Sequence, residues 1–281
     1  MAGHHLLSNP FYCCRLYIVH SLQGAIRRRG LSLAGEIQVF QVSKAFVIRH
    51  NKADSLKSQV IGVFYKRYRE QKEIFWALRD VSLNISAGEA FGLIGRNGSG
   101  KSTLLKVIAG IYPPTKGKVQ LPNGARMGTM IELGVGFHPE LTGKENVFLG
   151  ASIHGLNRKE TEAIYKAVVD FSELDEFMDT PVKNYSSGMH ARLGFALAVN
   201  LNPDVLLVDE VLAVGDEAFQ QKCTDQIDKF RAQGKTIIFV SHSADAVKKI
   251  CDRACVLDHG RVVFLGKSAE AIDRYHELLA Q

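Results

Sequence analysis

The sequence has few cysteines and no long hydrophobic run. Its five cysteines are Cys13, Cys14, Cys223, Cys251 and Cys255. They form neither a zinc-binding spacing with histidines nor the dense framework of a small secreted domain, so we expect a reduced, cytosolic chain. Cys251 and Cys255 are then small core residues rather than metal ligands. No apolar run approaches the ~18 residues of a membrane-spanning helix, so the sequence predicts no membrane span.

Acidic residues are scarce in the first quarter of the chain. Residues 1–72 hold twelve Lys or Arg against three Asp or Glu, whereas all 281 residues together have a net charge of +6. A basic region on an otherwise near-neutral protein favours an anionic partner, such as nucleic acid, anionic lipid or a phosphorylated molecule. A solvated charged surface is the simpler alternative, and composition leaves both open.

Hydrophobic periodicity divides the N-terminal third of the chain into a tail, strand-like segments and an insertion. Residues 1–34 are weakly periodic and include the basic run RRRG. Residues 36–46 alternate like a strand, as do residues 78–85, which precede the apolar strand AFGLIG. Between these strands, residues 47–74 are polar and basic and indicate a long insertion.

A glycine-rich stretch, GRNGSGKST, follows the strand AFGLIG directly. It leads into TLLKVIAGI, in which Leu104, Val107 and Ile111 fall at helical spacing. A glycine, four residues and then Gly-Lys-Ser, placed between a strand and a helix, is the P-loop pattern. The candidate phosphate-binding residues are Gly95, Arg96, Asn97, Gly98, Ser99, Gly100, Lys101, Ser102 and Thr103. The simpler alternative is a glycine-rich turn, which the placement between strand and helix disfavours.

The residue types in this stretch suit the binding of ATP with Mg²⁺. Glycines let the backbone curl so that several N–H groups point at phosphate oxygens. The N-terminus of the following helix adds partial positive charge. Lys101 can reach the β- and γ-phosphates and assist catalysis there, and the Ser102 hydroxyl can ligate Mg²⁺. The stretch therefore predicts a triphosphate site.

Two further strand ends carry candidate catalytic side chains. In PDVLLVDEVLAVGD, the run VLLV indicates a buried strand that ends at Asp209 and Glu210. Because open α/β sheets bind ligands at this end of their strands, Asp209 suits Mg²⁺, and Glu210 can orient or deprotonate the attacking water. The strand in KTIIFVSHS brings His242 to the same edge as a candidate γ-phosphate sensor. A helix cap and a structural histidine are the simpler alternatives.

In this order, the three motifs resemble those of the ATP-binding subunit of an ABC transporter. That family carries a Leu-Ser-Gly-Gly-Gln signature before the second acidic motif, and YSSGM takes its place here. Ser186 and Gly188 match the signature, while Tyr185, Ser187 and Met189 depart from it. This variant, and the segment ELGVGFHPELTGKENV, are similar to exporters of bacterial polysaccharides, namely O-antigen, capsule and teichoic acid.

The resemblance implies a fold and its domain limits. The fold is an α/β P-loop NTPase cassette with a RecA-like core, an antiparallel β subdomain and an inserted α-helical subdomain. The cassette would span residues 35–275, with the helical subdomain at about 138–188 and the basic insertion at 47–74. Residues 1–34 would form an N-terminal tail and residues 276–281 a C-terminal one.

The proposed helical subdomain contains helix signals of its own. Asn157 is followed three residues later by Glu160, which is a capping pattern. Ile164, Val168 and Phe171 then repeat at helical spacing. Such a stripe is most simply core packing, and the resemblance adds that this lobe docks on a permease.

The resemblance also implies an adenine contact and leaves one expected residue missing. The aromatic side chain that stacks on adenine would be Phe46, at the end of VSKAF, with Phe75 or Trp76 as alternatives. The family carries a glutamine between the P-loop and the signature. Here it is missing, and Glu132 and Leu133 lie near its place.

The chemistry of the signature predicts a homodimer. A P-loop leaves the γ-phosphate of ATP exposed on one side, and no other motif of the same site covers it. The helix that starts at Ser186 can offer a hydroxyl, open N–H groups and a positive dipole end to ATP on a second copy. The resemblance adds Gly188 to this contact and makes Asp216 a contact with the opposite subunit.

A transport function follows from the resemblance. ATP binding would join two copies, and hydrolysis would release them, driving an integral membrane permease that exports a lipid-linked polysaccharide. The chain would be peripheral, on the cytoplasmic face of the bacterial inner membrane. Basic residues of the insertion, among them Lys66, Arg67 and Arg69, could face anionic headgroups or the pyrophosphate of the glycan.

Two alternative functions stay open. One is an ABC ATPase for another exported substrate, a drug or a lipid. The other is a soluble, nucleic-acid-associated ABC ATPase, which the basic N-terminal third suggests. A nucleic-acid partner is less favoured. Nucleic-acid-associated ABC ATPases usually carry two cassettes per chain or a long coiled-coil insertion, and this sequence shows neither.

Overall fold

Two β-sheets organise the part of the chain that the structure describes. The computed structural model describes residues 35–50, 71–130, 136–209, 216–241 and 243–280. The first sheet is antiparallel, with the strand order β2-β1-β4. Its strands are β1 (Ile37–His50), β2 (Gln71–Ile85) and β4 (Lys116–Gln120). This sheet is the antiparallel β subdomain that the sequence predicts.

The second sheet has the strand order β5-β6-β7-β3-β8-β9. Its strands are β3 (Ala90–Ile94), β5 (Met127–Thr129), β6 (Val205–Val208), β7 (Thr236–Val240), β8 (Arg253–Asp258) and β9 (Arg261–Lys267). All neighbours pair in parallel except β8 and β9. β3, β6 and β7 are apolar runs whose residues are all buried, as expected for parallel strands covered on both faces. The buried strand predicted before Asp209 is confirmed.

Helices cover both faces of this second sheet. The described α-helices are α1 (Lys101–Ile108), α2 (Gly143–Ile153), α3 (Arg158–Ser172), α4 (Ser187–Asn200), α5 (Glu217–Ala232), α6 (Ala244–Ile250) and α7 (Ser268–Leu279), and of these α1 and α4 to α7 pack on the sheet. Alternate residues of β7 point to opposite faces, so Ile237 packs with α4 to α7 while Ile238 packs with α1 and the antiparallel sheet. Among the described helices, none has the length and apolar character needed to cross a membrane.

A third core lies in the helical subdomain, between α2, α3 and α4. Both α2 and α3 begin with a complete capping box, built by Thr142 with Glu145 and by Asn157 with Glu160. The cap predicted at Asn157 is therefore confirmed, as is the helix that carries Val168. The boxes satisfy N–H groups at each helix start, so these short helices begin at defined residues.

Two segments differ in extent from the sequence prediction. The helix after the P-loop ends at Ile108 rather than continuing to Ile111, because Gly110 takes a positive φ of 73° and turns the chain. The predicted insertion is strand at both of its ends, where Val47 pairs with Ile74. Residues 51–70 of the insertion, and the tail 1–34, lie outside the described residues.

The described cysteines are core residues. Cys251 and Cys255 are buried, which confirms their predicted place in the interior, and Cys223 is buried on α5. Burial raises the pKa of each of these three thiols to about 12. They are therefore protonated, inert thiols at neutral pH. Cys13 and Cys14 lie outside the described residues.

Candidate nucleotide-binding site

Two glycines of the P-loop, Gly95 and Gly100, occupy positions that no larger residue could fill. Gly95 and Gly100 have positive φ angles of 153° and 106°. A Cβ at Gly95 would lie 2.2 Å from the carbonyl oxygen of Leu257, and one at Gly100 would lie 2.7 Å from that of Ala77. The loop is therefore wedged between β2 and β8 at the end of β3, and α1 begins directly after Gly100.

The side chain of Lys101 folds back into the loop. It is buried, and its Nζ donates hydrogen bonds to the carbonyl oxygens of Gly95 at 2.8 Å and Arg96 at 3.1 Å. The first turn of α1 has no acidic residue, and no side chain caps its N-terminus. An ammonium and an uncapped helix N-terminus therefore meet at one place, which favours an anion there.

The hydroxyl groups of the loop fit a bound triphosphate with Mg²⁺. Ser99 Oγ is buried and has no hydrogen-bond partner among the described residues. Ser102 is exposed at the start of α1, where its hydroxyl could ligate the metal, and Thr103 is partly buried beside it. An unsatisfied buried hydroxyl, an enclosed ammonium and an exposed hydroxyl are the donor set that this ligand needs.

The tip of the loop is exposed. Asn97 and Gly98 are exposed, and the place of a Cβ at Gly98 has no described atom within 4 Å. The guanidinium of Arg96 donates to the carbonyl of Leu278 at the end of α7. The contribution of Arg96 to a phosphate site would therefore come from its backbone.

A turn between β8 and β9 supports the loop from behind. The N–H of Gly260 donates to the carbonyl oxygen of Ser99 at 2.9 Å, and the N–H of Arg79 donates to the carbonyl oxygen of Gly260 at 2.8 Å. The sequence did not predict this contact. The letters DHG indicate a turn, but nothing local indicates which distant segment the turn touches.

Asp209 and Ser241, the residue before the predicted histidine, lie at the same edge of the sheet as the P-loop. β3, β7 and β6 are parallel neighbours, so their carboxyl ends meet at one edge. Asp209 is partly buried and follows β6 directly. Next to β3, the N–H of Ser241 donates to the carbonyl oxygen of Leu93 at 3.4 Å, which places the end of β7 beside the P-loop.

Some predicted residues fall where the structure gives no description. Glu210 and His242, the predicted water-orienting acid and γ-phosphate sensor, lie outside the described residues, and so do Glu132 and Leu133. Their roles stay predictions. In the sequence, Asp209 directly precedes Glu210, and Ser241 directly precedes His242.

The aromatic candidates for adenine stacking occupy different surroundings. The ring of Phe46 packs edge-to-face on Tyr112, with centroids 5.6 Å apart, and Lys106 of α1 lies 5.6 Å from the Tyr112 ring. Trp76 lies under the Nζ of Lys116, at 5.7 Å. Phe46 is thus connected to the P-loop helix through Tyr112, a residue that no sequence motif indicated.

A third aromatic candidate is more exposed than the other two. Phe75 pairs across the strands with Phe46 and is 49% exposed, whereas Phe46 and Trp76 are both partly buried. These contacts favour Phe46, because Tyr112 joins it to α1, but the adenine contact stays a prediction.

The signature forms the exposed start of α4. Ser186 is the N-cap, and its Oγ accepts a hydrogen bond from the N–H of Met189 at 3.2 Å. Ser186 and Ser187 are exposed, Gly188 lies in the first turn, and that turn has no acidic residue. Tyr185 anchors the tip by donating to the carbonyl oxygen of Phe177 at 2.8 Å, and burial raises the pKa of its hydroxyl. The predicted helix start is confirmed.

Asp216 is engaged within its own chain. Its Oδ1 accepts a hydrogen bond from the N–H of Phe219 at 2.9 Å, which caps α5, and its other oxygen pairs with Arg192 of α4. The predicted contact with an opposite subunit stays a prediction. Arg192 follows the signature closely, yet nothing in its spacing indicated that it would reach Asp216.

These features define a P-loop nucleoside-triphosphatase. A glycine-rich loop joins a buried parallel strand to a helix, a lysine fills the loop, and an acid stands at the end of a strand in the same sheet. Residues 78–213 match the family described as ABC transporter.

Two curated relatives agree with that family over most of the chain. One is a teichoic acids export ATP-binding protein of Listeria monocytogenes, 43% identical over 85% of this chain and 69% of the relative. The other is an O-antigen export system ATP-binding protein of Klebsiella pneumoniae, 43% identical over 87% of this chain and 98% of the relative. The chain belongs to the ABC transporter family, as an ATP-binding subunit that hydrolyses ATP.

A solved structure agrees with the fold. A dimeric ATP-binding cassette in a post-hydrolysis state, bound to ADP and phosphate, superimposes with a TM-score of 0.66 at 23% identity. The match covers 83% of this chain and 98% of that structure. The α/β cassette with an antiparallel subdomain, which the sequence predicts, is therefore confirmed.

Proposed function

We propose that this chain powers the export of a lipid-linked polysaccharide across the cytoplasmic membrane, from a peripheral position on its cytoplasmic face. The observation that carries the proposal is the similarity of 43% identity to export subunits for teichoic acids and O-antigen, over 85% and 87% of the chain. Both named cargoes are bacterial surface polysaccharides. The variant signature YSSGM lies within residues 78–213, which match the family, and it resembles the signature of this branch.

The P-loop side of the site binds and orients the triphosphate. Lys101 is already enclosed by the loop and would turn from the two carbonyls to the β- and γ-phosphates. Ser102 and Asp209 would hold Mg²⁺. When bound, the metal neutralises charge on the phosphate oxygens. Glu210 would orient the attacking water, and His242 would contact the γ-phosphate.

A second copy of the chain would complete the site. The start of α4 is exposed, carries no acidic residue in its first turn and presents Ser186 and Gly188 at its tip. Such a tip suits a phosphate that the P-loop leaves open on one side. The dimeric cassette with the same fold supports this arrangement. A membrane permease would be the partner that the cycle drives.

Export of a polysaccharide can be tested in a strain that depends on this chain. On depletion, we expect surface polysaccharide to disappear and its lipid-linked precursor to accumulate inside the cell, because assembly continues without export. A plasmid copy should restore the surface polysaccharide, but the Lys101→Met variant should not, since the loop loses its ammonium. Immunoblots and lipid extraction measure both pools.

A matched control and contrary outcomes accompany this experiment. Lys118→Met removes an exposed lysine on β4 and should complement fully. Normal surface polysaccharide after depletion, combined with drug sensitivity or lipid retention, would instead favour a different exported substrate. Salt-sensitive binding of RNA, without co-purification of a membrane protein, would favour a nucleic-acid-associated ATPase.

The basic insertion allows a second prediction. Neutralising Lys66, Arg67 and Arg69 to glutamine should lower polysaccharide export while leaving the ATPase activity of the purified chain unchanged, because attraction to anionic headgroups or pyrophosphate would be lost. These three residues lie outside the described residues. The strands that lead into the segment carry exposed apolar side chains, with Val47 58% and Ile74 62% exposed.

The control for the insertion removes the same charge elsewhere. On α6, which lies on the opposite side of the sheet from the antiparallel subdomain, Lys248 and Lys249 are exposed, and Lys267 is exposed at the end of the edge strand β9. Replacement of these three lysines by glutamine should leave export unchanged. Equal export by both triple variants would mean that the insertion is only a solvated segment.

A further inference from the structure

Two segments of the helical subdomain run side by side just before the signature. Residues 139–144 contain the start of α2, and residues 178–183 lead into YSSGM. Four backbone hydrogen bonds of 2.9 to 3.2 Å join the two segments. They run from the N–H groups of Gly143, Lys144, Val182 and Lys183 to the carbonyl oxygens of Thr180, Met178, Leu141 and Pro139, in that order. The start of α2 therefore sets the path of the chain into the signature.

A buried side chain fixes the first of these segments. Asn146 of α2 is 0% exposed, and its two amide N–H groups are shared among the carbonyl oxygens of His138, Leu141 and Thr142, at 2.9 to 3.1 Å. Its Oδ1 accepts a hydrogen bond from the N–H of His138 at 2.6 Å. Because these polar groups are satisfied inside the fold, the segment is a rigid support for the chain that precedes the signature.

Tyr185, the first residue of YSSGM, is held against this support. Its hydroxyl donates a hydrogen bond to the carbonyl oxygen of Phe177 at 2.8 Å. Gly143 is buried beside the hydroxyl, and a Cβ there would lie 2.2 Å from Tyr185 Oη. Its other neighbours, Tyr185 Cζ and Met178 Sδ, would be 3.3 Å away, where a small shift suffices. Gly143 has no positive φ, so the requirement for glycine comes from the phenol oxygen and not from the backbone.

We infer that Tyr185 is a positioning residue for the signature, with Gly143 as its matched partner. The inference rests on the proposed dimer, in which Ser186 and Gly188 contact ATP held by another copy. Ser186 follows Tyr185 directly and is the N-cap of α4, so a displaced phenol displaces the cap and the open N–H groups behind it. The leucine of the family signature has no hydroxyl that could bind the Phe177 carbonyl. The departure at Tyr185 thus gives the signature an anchor that leucine lacks.

A shift of the signature affects hydrolysis more than it affects binding of ATP to one chain. The P-loop holds the nucleotide by itself, so the affinity of the single chain should stay unchanged. Gly143→Ala forces the phenol away, and we expect turnover at saturating ATP to fall by about 10–100-fold, because a misplacement of about 1 Å can cost about a hundredfold. Tyr185→Phe loses only one hydrogen bond and should lower turnover by about fivefold.

The double variant Gly143→Ala with Tyr185→Phe separates positioning from damage to the fold. Phenylalanine has no atom at the place of the phenol oxygen, so the new methyl group fits beside it. Turnover of the double variant should therefore recover to that of Tyr185→Phe alone. Alanine is a better helix former than glycine, so a weaker α2 would not explain the loss in Gly143→Ala. Tyr165→Phe is the matched control, because Tyr165 lies on α3 of the same subdomain and should keep parental turnover without its hydroxyl.

The experiment uses the purified full-length chain and these variants. ATPase rates against ATP concentration give the turnover, a fluorescent ATP analogue gives the affinity, and thermal melting gives the stability. We expect parental affinity throughout, the lowest turnover in Gly143→Ala, and recovery in the double variant. A double variant that is slower than Tyr185→Phe would overturn the inference, even if Gly143→Ala alone failed to fold. So would parental turnover in Tyr185→Phe, or an equal loss in Tyr165→Phe.

Gly188→Asp distinguishes a failure of this inference from a failure of the proposed dimer. That substitution changes the signature itself and leaves Tyr185 and Gly143 in place. Slow hydrolysis by Gly188→Asp combined with parental hydrolysis by Gly143→Ala would overturn the positioning role alone. Parental hydrolysis by both variants would contradict the proposed dimer, and the inference with it.

Discussion

With glutamine in place of Glu210, we expect ATP turnover to fall by about 10²–10⁴-fold, the usual contribution of a general base. Glutamine keeps the shape of the side chain but cannot take up a proton from the attacking water. ATP binding should persist, because Lys101 and the P-loop backbone are untouched. The variant should therefore stay closed on uncleaved ATP as a dimer.

Size and turnover together test this expectation. Light scattering should show the 31.0 kDa chain doubling its mass when ATP and Mg²⁺ are added to the variant, and reverting when ATP is removed. Glu217→Gln, which changes another acid in the first turn of α5, should hydrolyse ATP normally. Parental hydrolysis by the Glu210 variant would show that another group acts as the base.

The Gly188→Asp variant should fold normally and bind ATP as a monomer, yet hydrolyse it at least about a hundredfold more slowly. A carboxylate at the signature tip would face the phosphates of the second copy. Two unit charges 4 Å apart near a protein surface repel by about 4 kcal/mol, which corresponds to about a thousandfold. Rates measured over a range of protein concentrations would separate this defect from a loss of ATP binding.

The local structure makes this variant a clean probe. A Cβ at Gly188 would have Ser186 Oγ as its nearest neighbour, at 3.8 Å, so the side chain has room. An acid at a helix N-terminus usually adds about 0.3–1 kcal/mol of stability, so unfolding would not explain a loss. Gly188→Ala is the matched control and should retain most activity. Full activity in the Asp variant would mean that the tip does not face phosphate.

The features that the sequence predicted correctly are those encoded by neighbouring residues. The strand–P-loop–helix order, the buried strand before Asp209 and the helix start at Ser186 each depend on a few adjacent side chains. The cap at Asn157 depends on a single partner three residues away. Local sterics and hydrogen bonding determine such features, so a single sequence carries enough information to predict them.

The features that the sequence did not predict depend on strand order and side-chain reach. The contact of Gly260 with Ser99 requires β8 to lie beside β3, which spacing along the chain does not encode. Arg192 reaches Asp216 only because α4 and α5 pack together on one face of the sheet. The early end of the P-loop helix follows from the left-handed Gly110, which overrides the apolar periodicity through Ile111.

Ser99 shows how folding and ligand affinity draw on the same free energy. A buried hydroxyl without a partner destabilises a folded protein by about 1–3 kcal/mol, and Ser99 Oγ is such a group in the described part of this chain. A phosphate oxygen that accepted its proton would remove that penalty. Part of the affinity for nucleotide would then be stability that the polypeptide gives up when it folds alone, because binding would supply this hydroxyl with its partner.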